Sequence, residues 1–250
     1  MILTAFTLIW IGAGDLLRRF VQRRAARLAL LVLLAAAIVV VGLLSDAVVA
    51  ALIAIVLAAG WMWAMPMDAT GRASFWPAVL LAAVAATTTA LMPARTASGL
   101  IGDVWALPAP GGQQVSFDVA MLALGAMLFV AESANLVVRT SLDREGTWRP
   151  ADQGGALRGG QLRQTQQNSN GFKGGRLIGP LERMLVVVLT LASAYALLAA
   201  MLAAKGIVRF PEISKDGETG ARAEYFLVGS LVSWVTALAA ALLLWWAARV

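Results

Sequence analysis

Cysteine and histidine are missing from all 250 residues of the chain. The first absence removes thiolate nucleophiles and disulfides, and the second removes imidazole acid–base chemistry and most transition-metal sites. Oxygen-only metal sites stay open, but no cofactor is implied. Charge is scarce as well: Asp, Glu, Lys and Arg make up 14% of the chain, against about 25% in soluble domains. What fills the space is apolar, with 60% hydrophobic residues and a mean hydropathy of +0.78. A soluble fold is excluded on those grounds, and an all-α polytopic membrane bundle is expected. Strands that cross a membrane alternate apolar and polar residues, and these runs do not.

Seven apolar runs are long enough, or nearly so, for a hydrocarbon core of about 30 Å. They cover about 1–17, 28–44, 47–65, 77–92, 117–138, 181–204 and 224–247. Six spans result if the first run lies in the interface. That run, Met1 to Gly14, is followed by Asp15 and becomes long enough if Arg18 and Arg19 snorkel outward. Its basic cluster comes after the apolar stretch rather than before it, which favours a retained helix over a cleaved signal. The Ala-rich fourth run, carrying Thr87, Thr88 and Thr89, is expected at the centre of the bundle. Residues 139–180 form the one long polar stretch, a cytoplasmic loop suited to a protein partner.

Placing the N-terminus outside puts most Lys and Arg, including Arg18, Arg19, Arg23, Arg24 and Arg27, on the cytoplasmic side. Trp10, Trp61, Trp63, Trp76, Trp245 and Trp246 then fall at the cytoplasmic ends of the runs, and so does the C-terminus. The net charge of +6 is absorbed by this topology, so nucleic acid is not expected as a partner. Anionic lipid head groups are.

Three sets of residues carry candidate chemistry. Glu132 lies inside the fifth run, with Asn135 and Arg139 at i+3 and i+7 on the same helical face. An ionisable residue within a span is a functional candidate by default, here as part of a polar path. Lys205 and Arg209 stand at i and i+4, with Glu212 beyond them and Glu224 opening the next run. They form an outer-surface set suited to an ion-pair cluster or to capture of an anionic head group. Glu182 and Arg183 follow Gly174, Gly175 and Gly179 and lie at the membrane end nearest Glu132, where they can serve as its partners.

The segments GGRLIGPLERMLVV, LLAAKGIVRFPEIS and AEYFLVGSLVSW resemble the C-terminal signature of an uncharacterised family of bacterial polytopic integral membrane proteins. ESANLVVR, from Glu132 to Arg139, is similar too. The resemblance covers about the last 75 residues. It implies an inner-membrane location and a helical architecture, and it carries no activity, substrate or catalytic residue.

The leading expectation is a non-catalytic channel or small transporter-like unit that works as a homo-oligomer, because 26.2 kDa leaves little room for a private pore. An anion or head-group binder or enzyme at the outer surface and a membrane scaffold are the alternatives. The missing nucleophile–base pair weighs against catalysis.

Overall fold

The computed structural model describes residues 1–65, 75–95, 99–108, 114–144, 175–213 and 221–249. Among these every regular element is helical: α1 (Ile2–Phe20), α2 (Arg24–Leu44), α3 (Val48–Ala64), α4 (Trp76–Leu91), α5 (Gly99–Val104), α6 (Phe117–Leu128), a π-helical turn (Phe129–Ser133), α7 (Ala134–Arg144), α8 (Gly175–Leu191), α9 (Tyr195–Ile213) and α10 (Ala221–Ala247). Arg24–Leu44, Phe117–Leu142 and Ala223–Ala247 are long and apolar enough to cross a membrane. The polar loop expected over 139–180 lies largely outside the described residues.

The bundle is built around α1. Met1, Ile2, Ala5, Phe6, Leu8, Trp10 and Ile11 are buried, and α6 approaches them at two glycines. A Cβ on Gly12 would sit 2.6 Å from the Leu128 carbonyl carbon, and one on Gly125 would sit 2.8 Å from the Ala5 oxygen. Without those methyl groups the backbones come close enough for dispersion to act along both helices. The fourth apolar run is therefore not central. Only Ala85 and Thr89 of α4 are buried, and the Thr88 and Thr4 hydroxyl oxygens lie 2.5 Å apart.

Pairwise contacts fix the direction of each helix. Residues 5–9 of α1 face Gly125 and residue 12 faces Leu128, so α1 and α6 run parallel. Trp61 and Met65 meet Asp15 and Arg18, so α3 runs with them. One end of the bundle thus gathers Asp15, Ser133 and Trp61, and the other gathers Asp118, Arg95 and Ser45. At the second end Arg95 grips Asp118 through two hydrogen bonds of 3.0 and 2.8 Å and also donates to the Ser45 carbonyl. Between Asp118 and Ser133 the helix rises roughly 22 Å.

Two findings revise the sequence-based topology. The sixth run is not one helix: it breaks at Ala192–Ala194, where Ser193 takes φ 56° and Ala194 N–H donates to the Leu189 carbonyl at 2.9 Å. That six-to-one closure around a left-handed residue is a Schellman-type helix end, and the chain then reverses. Lys205 reaches back to Glu182, which one straight helix would hold more than 30 Å away. As a result α10 enters from the Asp15 end. Gly229 lies beside Leu142 and Val138, and Ser233 meets Arg183, so α10 runs antiparallel to α6–α7. Its C-terminus, with Trp245 and Trp246, lies opposite the end where α7 leaves the bundle. Trp245 and Trp246 therefore lie at the opposite end of the bundle from Trp61, so the six tryptophans do not share one end. Trp10 is buried rather than interfacial.

Candidate functional site

The charged layer at the Asp15 end begins with the π-helical turn. Its wider winding turns Glu132 and Ser133 into the bundle and directs the Val130 carbonyl toward α8, where Arg183 Nε donates to it at 2.8 Å. Glu132 is only 7% exposed, and the Arg19 guanidinium forms its ion pair. Asn135 then acts as a bridge. Its amide nitrogen donates to Glu132 Oε2 at 3.2 Å, while its oxygen accepts from Arg183. Arg183, 2% exposed, completes its contacts at Ser233 of α10. One hydrogen-bonded chain therefore ties α1, the π turn, α7, α8 and α10 together.

A second branch starts at Asp15, which is fully buried. It accepts from Ser133 Oγ at 2.7 Å, Trp61 Nε1 at 3.1 Å and Arg18 at 3.1 Å. The third branch is Glu182, whose two oxygens both lie 2.7 Å from Lys205 Nζ while Trp234 Nε1 donates to it at 2.9 Å. Each carboxylate has its own cation: Arg18 for Asp15, Arg19 for Glu132 and Lys205 for Glu182. Arg183 is the fourth cation and meets only neutral acceptors among these contacts. None of the four cationic side chains is more than 25% exposed. Taking ions out of water costs several kcal/mol each unless they are paired and hydrogen-bonded, and here the pairing is extensive.

The chain matches no protein-family model, no curated protein and no solved structure. The site must speak through its own geometry.

Glu132 and Asn135 meet as their spacing suggests, but Arg139 does not join them. It is exposed, one turn beyond Asn135 on α7. Arg19 takes the place expected of Arg139, and it points inward rather than snorkelling outward. Arg183 is joined to Glu132 through Asn135. Lys205 pairs with Glu182 rather than with Glu224, which is exposed. Lys205 stands at the Asp15 end of the bundle. The side chains of Arg209 and Glu212 lie outside the described residues. Asp15, Arg19, Ser133, Ser233 and Trp234 were not singled out from sequence as site residues. The Asp15–Arg18 spacing and the Ser next to Glu132 were the available signals.

Proposed function

We propose that this protein is a multi-pass inner-membrane protein of bacterial type, acting as a small transporter-like or channel unit within a homo-oligomer. The Asp15-end layer is its polar path in a closed state. One observation carries this reading: Asp15, Glu132, Glu182, Arg18, Arg19, Arg183 and Lys205 are gathered, mostly buried, where the membrane-length helix Phe117–Leu142 is interrupted by a π turn. Buried ions at a span are costly to keep, and π turns recur at functional sites. A bundle needing only mechanical stability would use small residues, as α1 and α6 do at their glycines. In this topology α1, α2, α3, α4, α6–α7 and α10 cross the membrane, and α8–α9 enters as a hairpin from the Asp15 side. That side is cytoplasmic, since it carries Arg18, Arg19, Arg23, Arg24, Arg27 and Arg139.

The test is ion flux in proteoliposomes under a potassium gradient with a pH-sensitive dye inside. Wild-type protein carries flux above protein-free vesicles, and Glu132→Gln changes it at least tenfold. Wild-type flux equal to that of empty vesicles rejects the reading.

A further inference from the structure

Glu182 sits in an aromatic setting that the ion-path reading does not use. Lys205 Nζ lies 5.4 Å from the Trp234 ring centroid and 5.9 Å from that of Phe226, while both Glu182 oxygens hold it at 2.7 Å. A carboxylate flanked by two ring faces within about 6 Å of a cation is the arrangement that recognises ammonium groups. The walls and the occupant belong to different parts of the fold. Glu182 on α8 and Trp234 and Phe226 on α10 belong to helices locked together by Arg183–Ser233 and by the buried Val186, Val187, Ala237 and Ala241. Trp234 Nε1 donates its own hydrogen bond to the same carboxylate.

The occupant comes from α9, which has no buried residue among those described. A single stripe of Leu198, Met201 and Leu202 packs it against the core, and Lys205 continues that stripe by one turn. Its connection to α8 is the left-handed turn at Ser193. We propose that Glu182, Trp234 and Phe226 form a binding site for a primary ammonium group, a soluble alkylamine or an ethanolamine head group, and that Lys205 plugs it until α9 swings away at Ser193. The tethered lysine competes with any ligand, so removing it raises apparent affinity by the inverse of the fraction of time the site is free.

The experiment uses the full chain in phosphatidylglycerol nanodiscs, with melting temperature followed as ethylammonium chloride is added against sodium chloride of equal ionic strength. Lys205→Ala responds saturably, with a midpoint at least about tenfold below that of wild type, and Lys205→Ala/Glu182→Gln does not respond. Lys205→Met, which keeps the apolar stem, serves if the alanine variant fails to fold. A second arm replaces part of the lipid with phosphatidylethanolamine; stabilisation of Lys205→Ala there without added amine identifies the head group as the source, and stabilisation only by ethylammonium identifies a soluble amine. Lysine variants no more responsive than wild type, or a response that survives loss of the Glu182 charge, overturn the proposal and leave Lys205 as a structural tie. Because the readout is binding, the result is separable from any outcome of the flux assay.

Discussion

Arg183→Met should loosen the bundle more than any other single change in the charged layer. The guanidinium donates to the Val130 carbonyl, Ser233 Oγ and Asn135 Oδ1, which belong to the π turn, α10 and α7. Interhelical hydrogen bonds in membranes average about 0.6 kcal/mol and reach about 1.7. Three of them give a loss of about 2–5 kcal/mol, at least a 30-fold drop in the ratio of folded to unfolded protein. Methionine fills most of the volume, so a cavity contributes little, and relief of a buried cation pulls the value toward the lower bound. The assay is reversible denaturant unfolding in micelles, with Glu224→Gln as the exposed control, expected within about 0.5 kcal/mol of wild type. If Arg183→Met unfolds within that same margin, the bridge through Asn135 does not hold α8 and α10 to the π turn.

Other consequences follow from backbone and topology. Gly12→Ala pushes a methyl group into the Leu128 backbone and should cost about 1–3 kcal/mol or more by thermal unfolding. Gly60→Ala, which meets open space, should gain up to about 1 kcal/mol from helix propensity. Ser193→Val, a branched residue forced to φ 56°, should lose about 1–2 kcal/mol while Ser193→Gly loses none; equal effects would contradict the left-handed turn. The chain has no native cysteine, so Gly160→Cys and Arg249→Cys are each unique labels. An impermeant maleimide applied to intact spheroplasts should modify Arg249→Cys alone, and modification of both or neither would contradict the antiparallel course of α10.

Much of the helical architecture was legible because long apolar runs bounded by charges mark out helices in the sequence. The apolar runs near 28–44, 117–138 and 224–247 correspond to the three helices long enough to cross a membrane, and those near 47–65 and 77–92 correspond to the shorter helices α3 and α4. The break at Ser193 was hidden because Met184–Ala204 carries no charge and no glycine or proline to mark a turn; the reversal shows in the contact of Lys205 with Glu182. The contact of Glu132 with Asn135 was legible because polar residues inside an apolar run are conspicuous. Arg19 and Asp15 were not, since at the end of a run an ionisable side chain has the same local pattern whether it faces water or a partner on another helix. Arg139 lies one turn beyond Asn135 on α7 and is exposed, which spacing along a helix does not reveal.

The pairing of Arg19 with Glu132 within the proposed path is the claim on which the functional reading stands, and a charge swap tests it directly. Flux through proteoliposomes carrying Arg19→Glu should fall or leak at least tenfold relative to wild type, and the double variant Arg19→Glu/Glu132→Arg should return most of the way to the wild-type rate. A single swap that transports like wild type, or a folded double variant that stays as impaired as the single, would contradict the account.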